Sequence, residues 1–67
     1  MRLESFLDNY VDVTTQIRIT CTQDPGIFFE GYKGELANDP EIENIALGLW
    51  IHDLYADGDI LVIVISY

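Results

Sequence analysis

The side chains that most often carry chemistry in proteins are single in this sequence. It has one histidine, His52, and one cysteine, Cys21, whereas a metal site, or a nucleophile with its base, needs several such groups together. Cys21 alternates with Ile17 and Ile19, as in a strand with one buried face, so we interpret it as a packing residue. We interpret His52 as a structural residue. The sequence therefore predicts no catalytic residue, no metal site and no cofactor.

Carboxylates are abundant, but their spacing does not indicate a reactive site. Asp53, Asp57 and Asp59 lie around Gly58, whereas a calcium loop needs acids at alternate positions before its glycine and a glutamate after it. Paired carboxylates can act as acid and base when a pocket buries the substrate. A chain of 67 residues leaves little room for such a pocket. We therefore predict that the protein is not an enzyme.

The charge balance is the most unusual property of the chain. Twelve Asp and Glu face three Lys and Arg, which gives a formal net charge of −9 and a pI near 4.1. The electrostatic field of such a chain repels nucleic acid and anionic membranes and attracts cationic partners. We expect a protein partner with a basic surface, and no direct binding of nucleic acid or membrane. The alternative is that the acids only keep the surface soluble.

Length and hydrophobicity indicate one small domain over residues 1–67. The chain is 49% hydrophobic, which is too apolar for disorder, and a domain of this size buries only about 60% of its unfolded surface. Self-association would enlarge the core, so we expect a homodimer, with a marginal monomer as the alternative. A lone cysteine and an N-terminus without a signal-peptide pattern indicate the cytoplasm, and no segment matches a membrane span.

The elements that must position these side chains begin with a helix and a hairpin. Residues 2–10 are predicted as an amphipathic helix from the spacing of Leu3, Phe6, Leu7 and Tyr10. Alternating apolar residues predict a strand over 17–21, and the turn signal at 24–26 leads to a return strand over 27–33. The helix is too short to be stable alone, so it must pack on the sheet.

A second helix and a second hairpin follow. Asn38, Asp39 and Pro40, with acids directly after them, are typical of a helix start, and this short helix is predicted to end near Ala46. Its predicted anchors are Leu36, Ile42 and Ile45.

An Asp57-Gly58 pair between two apolar segments predicts a hairpin. A two-residue loop, which we favour, would pair Tyr55 with Ile60. A three-residue loop with Gly58 in the left-handed conformation would shift this register by one residue.

These elements together predict an α+β fold: a small antiparallel four-stranded sheet made of two hairpins, with an N-terminal helix and a short middle helix, in the order αββαββ. The final strand, residues 60–65, is apolar at every position, so both of its faces need cover. A helix would cover one face and the middle helix or a second copy the other. The residues predicted at the oligomer interface are Trp50, Ile63, Ile65 and Tyr67.

The layout of the whole chain also resembles a class of known proteins. The short Leu3, Phe6, Leu7 helix, the Ile17-Arg18-Ile19 strand, the run from Phe29 to Leu36 and the final hairpin ending in residues 60–65 are similar to the short acidic proteins carried by phages and prophages of Gram-positive bacteria. That resemblance implies an inhibitor of a host defence component, of the anti-CRISPR or another anti-defence type, acting in the cytoplasm of a bacterial host. Some such inhibitors imitate nucleic acid.

The leading hypothesis is a phage-type inhibitor that binds a host protein through an acidic surface, placed where a basic groove expects phosphates. Tyrosine is included because it is favoured at protein interfaces. The predicted partner-binding residues are Glu30, Tyr32, Glu35, Asp39, Glu41 and Glu43.

Two alternative functions belong to other classes. One is an oligomeric sponge that sequesters a small nucleotide signal by using Tyr32, Trp50, Arg18 and Lys33, although cationic groups are scarce. The other is a structural or assembly accessory protein of a phage particle.

Overall fold

The N-terminal helix forms where the apolar spacing predicts it, in a computed structural model that describes residues 1–67. α1 spans Leu3–Tyr10 and buries Leu3 and Leu7. Phe6 is half-buried and Tyr10 is 68% exposed, so only part of the predicted stripe lies in the core. The rings of Phe6 and Tyr10 pack on each other instead, with their centroids 5.8 Å apart.

Four strands form one sheet in the order β2-β1-β4-β3. The strands are β1 (Gln16–Cys21), β2 (Phe28–Tyr32), β3 (Trp50–Asp57) and β4 (Ile60–Ser66). Each hairpin is antiparallel as predicted, but β1 and β4 pair in parallel at the centre of the sheet. The α+β class and the four-stranded sheet are confirmed, whereas the prediction of a purely antiparallel sheet is wrong.

The mixed sheet follows from the apolar character of β4. A strand that is apolar on both faces is best buried at the centre of a sheet, and β2 already occupies one side of β1. β4 therefore pairs along the other side of β1, with Ile19 beside Ile63, and β3 is left at the edge. The connection between the hairpins brings β4 into the sheet in the same direction as β1, which makes this central pair parallel.

Residues 33–48, here called the helical connector, contain more elements than the sequence indicated. A 3₁₀ helix (Lys33–Asn38), α2 (Pro40–Asn44) and a second 3₁₀ helix (Ala46–Gly48) follow one another, so the element order is longer than αββαββ. The start of α2 is as predicted, with Pro40 in the first turn and the Asp39 carboxylate accepting a hydrogen bond from the Ile42 N–H at 3.3 Å. Its end at Asn44 comes earlier than the predicted Ala46.

The helices cover one face of the sheet, and the main core lies between the two layers. Ile45, a predicted anchor, is 47% exposed, whereas Ala46 is fully buried and takes its place. Cys21 packs against this core, as its alternation with isoleucines indicates. The buried apolar residues of this core are Leu3, Leu7, Val11, Ile17, Ile19, Ile27, Phe29, Leu36, Ile42, Ala46, Ile63 and Ile65.

The second hairpin has a two-residue loop, but the loop is Gly58-Asp59. Asp57 pairs with Ile60 and Tyr55 with Val62, so the predicted pairing of Tyr55 with Ile60 is wrong. Gly58 has a φ of 62° and is the only residue with positive φ. A positive φ at the first loop residue alone is the pattern of a type II′ turn, which places glycine first. A bulge at His52 then shifts the register again, between Ile51 and Asp53.

The free edge of β3 is partly covered by the N-terminal residues. The Leu3 N–H donates to the Leu49 carbonyl at 2.8 Å, and the Ile51 N–H donates to the Met1 carbonyl at 2.9 Å. The Arg2 guanidinium lies 5.2 Å from the ring centroid of Trp50, within the range of a cation–π interaction. None of the helices has both the length and the apolar character needed to cross a bilayer.

Candidate functional site

A groove with acidic walls lies on the helical face, between α1 and the helical connector. We call it the acidic groove, and its volume is about 190 Å³. Carboxylates of Glu4, Asp8 and Glu43 line it together with the single cation Lys33, and leucines form its apolar surface. The complete lining is Glu4, Leu7, Asp8, Lys33, Leu36, Ala37, Glu43 and Leu47.

The positions of these carboxylates follow from the elements that carry them. Glu4 and Asp8 are four residues apart in α1, so they share one face of that helix. Glu43 lies in α2, whose first turn is held by the Asp39 cap. Leu7 and Leu36, both buried, fix the two walls to the core. The groove is therefore assembled from side chains far apart in sequence on two packed helical segments.

Glu4 and Asp8 were missed as candidate site residues by sequence reasoning. The sequence does indicate that Glu4 and Asp8 lie on the polar face of α1, because they fall outside the apolar stripe of that helix. What the sequence did not supply is the position of that face relative to α2. The helical connector packs beside α1, and only this tertiary contact brings Glu43 into one groove with Glu4 and Asp8.

The groove is electrostatically unbalanced. Both salt bridges of the protein use Arg18, one to Glu30 and one to Asp57. The half-buried Lys33 is the only positive side chain in the groove and forms no salt bridge. The three groove carboxylates thus have no cationic partner within salt-bridge distance, and negative charge predominates among the residues that line the groove.

The six predicted partner-binding residues do not form one surface. Glu35 and Asp39 act locally, because their carboxylates accept hydrogen bonds from the backbone N–H groups of Tyr32 at 3.0 Å and Ile42 at 3.3 Å. A Cβ at Gly31 would lie 3.1 Å from the Glu35 carboxylate, so this glycine leaves room for that cap. Glu41 and Glu43 are exposed on α2, and only Glu43 lines the groove.

Glu30 and Tyr32, the other two predicted residues, lie on the opposite face of the sheet, which no helix covers. We call this the open face. Exposed aromatic side chains lie toward its two edges, on β2 and β3: Phe28, Tyr32, Trp50 and Tyr55.

Arg18 organises the centre of the open face. Its guanidinium donates to Glu30 at 2.6 Å and to Asp57 at 3.0 Å. These hydrogen bonds, first to Glu30 and then to Asp57, raise the pKa of Arg18 above its ordinary value. Because Asp57 is on β3 and Arg18 on β1, the side chain must extend across β4. Val62, the neighbour of Arg18 on β4, is only 1% exposed although no helix covers this face.

The predicted oligomer interface is divided by the fold. Trp50 and Tyr67 are 49% and 61% exposed and lie at the surface. Ile63 and Ile65 are 0% exposed because the helices cover them. These two isoleucines are therefore a correction to the predicted interface: they belong to the core of the single chain and are not available to a second copy.

The residues of the predicted nucleotide sponge do not come together within one chain. Tyr32 and Trp50 are on the two opposite edge strands of the sheet. Arg18 lies between them but is engaged by two carboxylates. Lys33 lines the groove on the helical side. The four residues predicted for the sponge therefore do not form one binding surface within a single chain.

The single histidine and the single cysteine lie outside any group of side chains that could hold a metal ion. No group of three or more His, Cys, Asp or Glu side chains is arranged to hold a metal ion. His52 is an exposed residue at the bulge of β3, and Cys21 is a half-buried free thiol.

Comparison of the chain with protein-family models, with curated proteins and with solved structures gives no significant match.

Proposed function

We propose that this protein is a non-catalytic binding protein that occupies a basic surface of another protein through its helical face. The observation that carries the proposal is the acidic groove, where three carboxylates without salt bridges surround an apolar surface. A groove of this kind offers a cationic partner both attraction and buried apolar contact.

The charge of the rest of the molecule supports the same proposal. Of the twelve Asp and Glu, only Glu30 and Asp57 form salt bridges, which leaves ten without one. Unpaired charge of one sign speeds association with a partner of the opposite sign and disfavours other partners. Glu41, which is exposed on α2 outside the groove, extends the acidic surface along that helix.

The biological setting of the proposal comes from the resemblance to short acidic phage proteins. It favours a host defence protein in the bacterial cytoplasm as the partner, with the carboxylates occupying positions where a basic groove holds nucleic-acid phosphates. The expected homodimer is not part of the proposal. Two of its four predicted contact residues, Ile63 and Ile65, are internal, and two copies bring together charges of the same sign.

The proposal is tested by affinity capture from a bacterial lysate, followed by measurement with the purified captured protein. Binding should weaken steeply as salt rises, and nucleic acid should compete for the same surface. A fourfold variant, Glu4→Gln with Asp8→Asn, Glu41→Gln and Glu43→Gln, should reduce the affinity at least tenfold. An equally charged control, Asp12→Asn with Asp24→Asn, Asp53→Asn and Asp59→Asn, should reduce it much less.

Equal losses in these two variants would show that the helical face has no special role. Binding that does not change with salt would contradict a contact based on charge.

A further inference from the structure

We infer that the acidic groove is a receptor for one arginine side chain of the basic partner. This inference rests on the proposed function and deepens it, because it names the group that enters the groove. The size of the groove, the chemistry of its walls and the position of Lys33 support this inference.

The size of the groove selects a single side chain. Its volume is about 190 Å³, below the range of about 300–1,000 Å³ for pockets that bind drug-sized molecules. A nucleotide or a comparable cofactor would remain mostly outside it. A single long side chain reaching from a protein surface fits this volume better.

The walls of the groove match the two parts of an arginine side chain. Ala37 and the half-buried Leu47, packed with the almost fully buried Leu7 and Leu36, provide apolar contact for an aliphatic stem, and acidic residues of the same lining provide carboxylates for a charged end group. A guanidinium is more weakly hydrated than an ammonium group, and its planar set of donors can serve two carboxylates at once. Glu4 and Asp8 on α1 and Glu43 on α2 line the groove and offer such acceptors, which favours arginine over lysine.

Lys33 allows a second test, in which removal of a charge should strengthen binding instead of weakening it. Its side chain is half-buried at the groove without a salt bridge. A positive group in this place opposes the entry of a second cation. Replacement by a neutral residue should therefore strengthen the binding of an arginine side chain, and more than the same charge change made elsewhere.

The experiment uses the full chain and a hexa-arginine peptide at low salt, with affinity from calorimetry and contact positions from methyl NMR. Glu43→Gln should weaken binding about threefold to fivefold, within the range of an exposed ion pair. Glu41→Gln, an exposed glutamate of the same helix outside the groove, is the matched control and should weaken it less than twofold. Saturable shifts should appear at the methyl groups of Leu7, Leu36 and Leu47.

Two further comparisons complete the test. Lys33→Gln should strengthen binding about twofold to threefold, whereas Arg2→Gln, with the same change of net charge, should have a smaller effect. A hexa-lysine peptide should bind more weakly than hexa-arginine. Equal affinity for the two peptides would overturn the preference for arginine.

The possible failures are distinguishable. If the peptide binds but Glu43→Gln and Glu41→Gln have equal effects and the leucine methyl shifts are no larger than elsewhere, the groove is not the receptor, and the proposed function still stands. If hexa-arginine does not bind the unmodified protein at low salt, both the groove inference and the proposed function are wrong. Thermal unfolding of each variant provides the control for folding.

Discussion

The Arg18 side chain covers the centre of the open face, where no helix packs on the sheet. The open face has no helix over it, yet Val62 at its centre is as inaccessible as the core isoleucines. The Arg18 side chain extends across β4, and its charged end is held by Glu30 and Asp57 on the strands at either edge. Long basic side chains can cover apolar surface with their stems while their charged ends stay in water.

The first prediction distinguishes the contribution of the aliphatic stem of Arg18 to stability from the contribution of its charge. Arg18→Ala should lower the urea midpoint of unfolding more than Arg18→Met, because methionine keeps an apolar stem over Val62 while alanine exposes it. Both variants lose the two salt bridges, so each is the control for the other. Equal midpoints for the two variants would show that the stem does not contribute.

Tyr67 supplies the second prediction, which concerns pH. Desolvation, and then the negative charge of Asp24, raises the pKa of the Tyr67 phenol above its ordinary value of 10.0. The folded state therefore holds this proton more tightly than the unfolded chain. The associated stability is complete below about pH 10 and is lost as the pH rises through the folded-state pKa.

The measurement for Tyr67 is tyrosinate absorbance as a function of pH. Tyr67 should titrate at a higher pH than an ordinary tyrosine, and Tyr67→Phe should remove that late step. Asp24→Asn should move the step to lower pH, since it removes a nearby negative charge. A step that does not move in the Asp24 variant would contradict the assigned electrostatic cause.

At the scale of elements, the acidic groove depends on the correct placement of α2. This helix has only five residues and is too short to be stable alone. The Asp39 cap and the burial of Ile42 hold it to the sheet. Glu43, a wall of the groove, is therefore positioned by a cap four residues before it in the chain.

The third prediction concerns that cap. Asp39→Ala should destabilise the protein by about 1 kcal/mol, the usual cost of losing an N-cap side chain. Asp39→Asn should cost much less, because its amide oxygen can still accept from the Ile42 N–H. Chemical denaturation of the two variants is the measurement. If Asp39→Asn destabilises the protein as much as Asp39→Ala does, the charge of Asp39, rather than its capping hydrogen bond, stabilises the helix.

Structural elements that are determined by residues close together in the chain could be predicted from the sequence. Elements that depend on contacts between distant segments could not. α1, the start of α2 and both hairpins follow from spacing, capping and turn residues within short stretches. The bulge at His52 and the parallel pairing of β1 with β4 depend on strands distant in the chain. For the same reason Glu43 was found as an acidic candidate, whereas its neighbours across the groove, Glu4 and Asp8, were not.

At the scale of the whole molecule, net charge opposes compactness. The chain carries a formal net charge of −9 within extents of 26 × 23 × 21 Å. At about 10 mM ionic strength the Debye length is about 30 Å, so repulsion acts across the entire molecule, and at about 150 mM it is only about 8 Å. The negative charge on which the proposed binding of a basic partner depends therefore also destabilises the free protein.

The fourth prediction is that added salt stabilises this protein. The urea midpoint should rise between about 10 and about 150 mM sodium chloride, because screening weakens repulsion among the carboxylates. The variant with neutral residues at 4, 8, 41 and 43 should show a smaller rise. A midpoint that falls with salt would mean that the Arg18 salt bridges outweigh the repulsion.

The central position of β4 also affects how the protein is made. β1 is synthesised early, but its parallel neighbour comes from residues 61–65, and α1 covers a core to which Ile63 and Ile65 belong. While the chain grows on a ribosome, the first hairpin and α1 cannot form their contacts with Ile63 and Ile65, because these residues have not yet been synthesised. The sheet closes only after the last strand has left the exit tunnel, so this domain completes its fold after, and not during, the synthesis of residues 1–67.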